Sequence, residues 1–243
     1  MTNPYFQFKQ FIIHQDKSAM KVTTDGCLFG AWIAERIKIE KKIINHCLDI
    51  GTGTGLLAIM LAEQNETFID AIEIDKDAFE QATENAAASP WTERIKIIHA
   101  DVRKFKFQNQ YDVIISNPPF YEKELKGDNA KKNLAHHNDG LLLAKLFSLI
   151  KKNLKPGGTF FLLLPYKRNE EIKNMFTEND LVIQQLTYVR QSIDHDFFRI
   201  MIAGKLKTDE LTEPIIDEMS IKEDNDQYTQ VFKDLLKDYY LHL

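Results

Sequence analysis

Cysteine is scarce in this 243-residue chain, where only Cys27 and Cys47 occur. Two isolated thiols exclude a disulfide framework and cannot supply the ligand set of a structural zinc site. Long apolar runs are missing, which excludes a membrane-spanning helix of the usual ~20 residues. The opening Met-Thr-Asn-Pro-Tyr-Phe-Gln has no cationic stretch leading into an apolar one. No secretory signal is therefore expected, and the cytoplasm is the expected compartment. Positive charge is not in excess either. A net charge of −5 and a pI near 5.8 argue against coating nucleic acid by bulk charge, although a local basic face would still serve. Much of the acid lies in the tail, from Asp209, Glu210 and Glu213 through Asp217 and Glu218 to Glu223, Asp224 and Asp226. Internal repeats and low-complexity segments are absent. What remains is 44% hydrophobic and 28% charged, ordinary for a globular protein with one large core.

Glycine is infrequent, yet three of the ten glycines fall together in Gly51-Thr52-Gly53-Thr54-Gly55. Before them runs Ile43 to Ile50, an apolar strand that ends in Asp49-Ile50; after them Leu56 to Ala62 opens a helix. Strand, glycine-rich turn and helix form a nucleotide-binding unit, the glycines permitting positive φ and close backbone approach to a ligand. The pattern is not the dinucleotide fingerprint, because Leu56 occupies its final position, and no Lys-Ser/Thr makes a phosphate loop. A second strand, Phe68 to Ile74, carries Glu73 about twenty residues past the loop, where a carboxylate grips ribose hydroxyls. Asp75 can cap a following helix that has Phe79, Ala82 and Ala86 at helical spacing. A third strand, Ile95 to His99, leads into Ala100-Asp101-Val102. Singly, Glu73 and Asp101 read as surface acids. At the ends of successive strands they gather at the ligand-binding edge of an open α/β sheet.

Proline is also sparse, and two of the seven are adjacent in Asn117-Pro118-Pro119-Phe120, after a fourth strand, Tyr111 to Ser116. The residue before a proline is pushed out of the helical region, and two prolines offer fixed φ and no N–H. The Asn117 side-chain oxygen and the Pro118 carbonyl can then stand as two acceptors, with Phe120 as a flat face beside them. An exocyclic amine on a planar ring fits that arrangement. The simpler alternative is a turn after a strand.

The remaining chain frames these elements. Residues 5 to 14 read as a strand, and Met20 to Gly26 as a polar turn. Thr24 or Asp25 is the expected N-cap of a helix from Cys27 to Ile37, whose start could hold a carboxylate or be a capped helix and nothing more. Tyr121 to Asp139, with four interspersed lysines, is long for a connection and reads as a loop over the site. His136-His137 in it could touch a phosphate or a base, and no third ligand points to a metal. A helix from Leu141 to Asn153, a Lys155-Pro156-Gly157-Gly158 turn, a strand Thr159 to Leu164 and a helix Arg168 to Thr177 follow. Two strands, Leu181 to Val189 and Phe197 to Ala203, suit an antiparallel hairpin. The expected organisation is an N-terminal extension over 1–42 packed on the site, a central domain over 43–205, and an acidic tail over 206–243 that ends in a helix.

With these residues placed, Asp49-x-Gly51-x-Gly53-x-Gly55 resembles motif I of the class I S-adenosylmethionine-dependent methyltransferases. The block Met20 to Trp32, the glycine loop and Asn117 to Phe120 together resemble the bacterial tRNA adenine-N6-methyltransferases that modify adenine 37 of valine tRNA, over most of residues 5 to 203. The resemblance implies a Rossmann-like α/β fold: a seven-stranded mixed sheet with the last strand antiparallel and helices on both faces. It implies S-adenosylmethionine as cofactor, held by Lys21, Thr24, Asp49, Gly51, Thr52, Gly53, Gly55, Glu73, Asp101, Val102 and Asn117. The methionyl end would lie against Gly51 to Gly55, the ribose on Glu73 and the adenine near Asp101 and Val102. Asn117, Pro118, Pro119 and Phe120 would be catalytic, and the partner would be the anticodon loop of a tRNA, with neither metal nor membrane. One departure is visible: the family usually has arginine then histidine after the long loop, whereas this chain reads Ala135-His136-His137. Asn-Pro-Pro-aromatic also serves methylation of guanine N2 in ribosomal RNA and of a release-factor glutamine. A non-catalytic module that binds S-adenosylmethionine or RNA would have no use for two amine acceptors.

Overall fold

The computed structural model describes residues 3–118, 143–209 and 213–243. Pro119, Phe120, the 121–139 loop and His136-His137 lie outside the described residues. The described residues form ten strands: β1 (Tyr5–Gln7), β2 (Ile12–His14), β3 (His46–Ile50), β4 (Phe68–Glu73), β5 (Ile95–His99), β6 (Tyr111–Ser116), β7 (Leu154–Pro165), β8 (Leu181–Ser192), β9 (Phe197–Leu206) and β10 (Ile215–Lys222). The helices are α1 (Thr24–Glu40), α2 (Leu56–Gln64), α3 (Lys76–Ala88), α4 (143–153), α5 (Asn169–Glu178) and α6 (Gln230–Leu236).

The main sheet has the order β10-β8-β9-β7-β6-β3-β4-β5. Strands β5, β4, β3, β6 and β7 run parallel, β9 runs antiparallel to both β7 and β8, and β10 pairs parallel with β8. The expected class, a mixed and mostly parallel sheet with helices on both faces, is what folds. The strand count is eight rather than seven, because Ile215–Lys222 of the tail adds an edge strand. Its alternation is masked by Asp217 and Glu218, which is why the tail reads as polar.

Strand periodicity divides the core. Val113, Ile115, Phe161 and Leu163 point to the face covered by α1, α2 and α3. Ile114, Phe160, Leu162 and Leu164 point to the face covered by α4 and α5, through Phe147, Ile150, Ile172 and Phe176. Burial on both faces explains why these strands are apolar runs. Helix α2 is buried from Leu56 to Ala62, as a helix apolar all round must be. Helix α1 crosses it closely at Gly30, where a Cβ would stand 2.7 Å from Met60 Sδ.

Local readings shift in three places. Residues 5 to 14 form a two-stranded hairpin instead of one strand, closed by a Phe8 N–H to Phe11 carbonyl bond of 2.9 Å. Helix α1 starts earlier than Cys27, and its N-cap is Thr23, whose hydroxyl accepts from Gly26 N–H at 3.3 Å. Lys155 to Gly158 does not precede β7 but lies inside it, as an irregularity with Gly157 at φ +73°.

Candidate active site

The carboxyl ends of β3, β4, β5 and β6 meet at one edge, as parallel pairing in register requires. The loop after β3 turns sharply, with Gly51 at φ +72°, Gly53 at +58° and Gly55 at +83°. A Cβ on Gly51 or Gly53 would meet nothing within 4 Å, so both backbone units border open space. Glu73, at the end of β4, braces this loop. Its Oε2 accepts from Gly53 N–H at 2.9 Å, and its Oε1 accepts from the N–H groups of Ile74 (2.8 Å) and Asp75 (2.9 Å). Three amide donors on one nearly buried carboxylate fix where the loop lies.

Two cavities adjoin here and share Gly51 and Ile74. The first, about 360 Å³, is lined by Lys21, Gly51, Thr52, Gly53, Glu73 and Asn117, among others. The second, about 320 Å³, is a more apolar slot between Ile50, Ile72, Ile74, Val102 and Leu146, with Asp101 and Pro118 at its rim. Lys21, Gly51, Thr52, Gly53, Glu73 and Asn117 are thus brought together in one cavity, and Asp101, Val102 and Pro118 in its neighbour. Gly55 stands behind the loop against Ala82. Thr24 faces away, into a larger cavity beyond α1.

Asp49 lines neither cavity. It is fully buried beneath the loop, where Oδ2 accepts from the Thr52 hydroxyl at 2.6 Å and Oδ1 has no partner among the described residues. Burial pushes its carboxyl up to about 7, with the charge of Glu73 adding to the shift and the Thr52 bond opposing it. Asp101 moves the other way. Bonds from Arg103 to both of its oxygens, each 2.7 Å, hold its carboxyl down at about 2.

The wall opposite the glycine loop comes from the N-terminal segment, and buried amides that no sequence motif advertises tie it down. Asn85 of α3 accepts from His14 N–H at 2.9 Å and donates to the carbonyls of His14 and Thr54, both at 2.8 Å. Gln15 accepts from Val22 N–H at 2.7 Å, and Lys21 Nζ donates to the Gln15 carbonyl. Two amides at core positions of α3 carry the signal, Asn85 and Gln81, the latter accepting from Lys17 N–H at 3.1 Å. Among the described residues no group of three or more His, Cys, Asp or Glu is placed to hold a metal, and no helix is long and apolar enough to cross a membrane.

A glycine-turn cradle, an acid at the next strand end and an Asn-Pro at the fourth describe a site type shared by many proteins. The model of the methyltransferase small domain matches residues 34–189, which contain all of these elements. The chain belongs to the methyltransferase small-domain family. This methyltransferase is also similar along its whole length to curated relatives. It is 37% identical over 243 residues to the tRNA1(Val) (adenine(37)-N6)-methyltransferase of Phocaeicola vulgatus, with all of both chains covered. It is 40% identical over 248 residues to the protein of the same name from Cytophaga hutchinsonii, again with all of both covered. Solved structures share the fold at lower identity. An S-adenosylmethionine-dependent methyltransferase from Clostridium acetobutylicum superposes with a TM-score of 0.57 at 14% identity, covering 77% of this chain and 94% of that one. The ribosomal protein L11 methylase of Lactobacillus delbrueckii gives 0.55 at 19% identity, covering 76% and 79%.

Proposed function

We propose that this methyltransferase transfers a methyl group from S-adenosylmethionine to the exocyclic N6 amine of an unpaired adenine in a tRNA anticodon loop, position 37 of valine tRNA being the expected target. The observation that carries the reading is the placement of Asn117 in the same cavity as Gly51 and Gly53, in a chain alike from end to end to proteins bearing that name.

The residues present fit the donor. Its methionyl end needs close backbone approach, which Gly51 and Gly53 allow, and Lys21 and Thr52 line the same space. Its ribose diol needs an acceptor, and Oε2 of Glu73, which receives one amide where Oε1 receives two, keeps a lone pair for it. Its adenine needs a flat apolar slot with a polar rim, which Ile50, Ile72, Val102 and Asp101 supply. Asp49 and Gly55 support the loop from behind, and Thr24 stands at the far side of α1. When bound, S-adenosylmethionine supplies a methyl group made electrophilic by the adjacent sulfonium.

The chain's own contribution is orientation. Asn117 and the Pro118 carbonyl accept the two N–H bonds of the amine and draw its lone pair out of conjugation with the ring. Prolines 118 and 119 have no amide hydrogen, so the acceptors are not consumed within the backbone. Phe120 supplies the face on which the splayed base stacks, a contact worth about 1–3 kcal/mol. An aniline-like nitrogen needs no strong base beforehand, so positioning and fixed dipoles carry the catalysis.

The test is Asn117→Ala with methylated tRNA as readout. Removing one preorganised polar group should lower kcat by roughly 10²–10³, with the affinity for S-adenosylhomocysteine within about threefold. Near-normal turnover would remove Asn117 from the mechanism. Absence of N6-methyladenosine in tRNA incubated with the native protein would overturn the substrate assignment.

A further inference from the structure

The donor cavities occupy the half of the sheet edge formed by β3 to β6. On the other half, the carboxyl ends of β7, β8 and β10 and the start of β9 surround a larger cavity of about 1210 Å³. The two halves meet at Val22 and Thr23, which line both the larger cavity and the donor cavity. The divider is the first turn of α1.

That turn is fastened on both sides. Towards the donor cavity stands Gly26. A Cβ there would crowd the Thr23 hydroxyl of the cap at 3.1 Å and would stand in ordinary contact, 3.9 Å, with Asn117 Nδ2, so the turn lies directly beside Asn117. Towards the larger cavity stands Asp25, whose Oδ2 accepts from Arg199 Nε at 2.8 Å. The pair is largely withdrawn from water, with side-chain exposures of 13% for Asp25 and 22% for Arg199. Arg199 itself lies over the Phe198 ring, its Cζ 5.2 Å from the centroid, and its strand position pairs with Pro165 of β7. Strand β7 in turn pairs Leu162 with Ser116, the residue before Asn117. The ion pair therefore ties the turn to the same rigid sheet that carries Asn117. A carboxylate in the first turn of a helix is also favoured by the helix dipole.

We propose that Asp25 and Arg199 are positioning residues for methyl transfer: they hold the first turn of α1 at the passage through which the acceptor amine reaches Asn117 from the larger cavity. This rests on the reading of Asn117 as the amine acceptor. A nucleotide that presents its base to Asn117 is too large to share the donor cavity, and among the described residues the larger cavity adjoins it at Val22 and Thr23. Releasing the turn leaves the donor cradle of Gly51, Gly53 and Glu73 intact, because those groups are braced by β4. It displaces the wall beside Asn117, and errors of about 1 Å in such a wall cost on the order of 10²-fold in rate.

The experiment compares the full-length protein with Asp25→Asn, Arg199→Met, the double variant and Arg199→Lys. It measures kcat and KM with a transcribed tRNA, the Kd of S-adenosylhomocysteine and the melting temperature. The expected result is a fall in kcat of about 10–50-fold for each single variant, the scale set by such misplacement. The S-adenosylhomocysteine Kd stays within threefold, the double variant is no worse than either single one, and Arg199→Lys recovers part of the loss. Single variants that keep kcat within twofold overturn the proposal. So does a parallel loss of kcat, S-adenosylhomocysteine affinity and melting temperature without recovery in Arg199→Lys, which assigns the pair to stability alone. A native protein that methylates no tRNA overturns the underlying reading instead, a result distinct from either.

Discussion

Replacing Glu73 by Gln changes one atom and tests the bracing of the glycine loop directly. Glutamine keeps the shape of the side chain but offers one acceptor oxygen where the carboxylate offers two. In the native arrangement Oε1 receives two amides, from Ile74 and Asp75, and Oε2 receives one, from Gly53. The amide will keep its oxygen where two donors converge and turn its NH2 towards Gly53 N–H. One charge-assisted bond is then lost, at a cost of roughly 1.5–3 kcal/mol. For a chain of this size each kcal/mol is worth about 2–4 °C, so the melting temperature should fall by roughly 3–12 °C. The affinity for S-adenosylhomocysteine should fall by about tenfold or more, because the displaced Gly53 unit borders the donor cavity and 1.4 kcal/mol is a factor of ten. Thermal melts and calorimetric titration measure both. A melting temperature within 1 °C of the native protein, with an unchanged Kd, would refute the claim that Glu73 holds the loop.

One buried and one half-buried acid, Asp49 and Glu63, make the stability depend on pH in a direction that can be worked out. Burial pushes both Asp49 and Glu63 up to about 7, so between pH ~4 and ~7 the folded protein holds protons that the unfolded chain has released. Stability therefore declines as pH rises through that window, and Glu63→Gln should raise the melting temperature at pH 8 while changing little at pH 5. An equal shift at both values would sink the argument. Gly204 of β9 faces a buried ring: a Cβ there would lie 2.4 Å from Phe160 Cζ. Gly204→Ala should cost about 1–3 kcal/mol by overpacking, seen as a lower denaturation midpoint, with the transferase activity per folded molecule retained.

The parts of the site legible in the sequence are those written in local chemistry. Three glycines in five residues dictate a turn with positive φ wherever they stand, and two prolines after an asparagine deny the backbone its own donors. The buried parallel strands are also legible, because a strand covered on both faces must be apolar throughout, as Phe160 to Leu164 is. Hence the order of elements, the ligand-binding edge and the placing of Gly51, Glu73, Asp101 and Asn117 at strand ends all follow from reading along the chain. The helix cap illustrates the limit of such reading: Thr23, Thr24 and Asp25 are each good caps, and in the fold Thr23 takes that place while the Asp25 carboxylate is engaged by the distant Arg199.

What tertiary structure alone decided are the contacts between distant segments. Asp25 and Arg199 are 174 residues apart, and Asn85 reaches the backbone of His14 71 residues away. Neither pair has a sequence pattern, because a hydrogen bond depends on where two groups meet in space and leaves no periodicity in either segment. The eighth strand has the same origin. Ile215–Lys222 is too polar to announce itself, and it becomes a strand because β8 offers it an open row of backbone donors and acceptors.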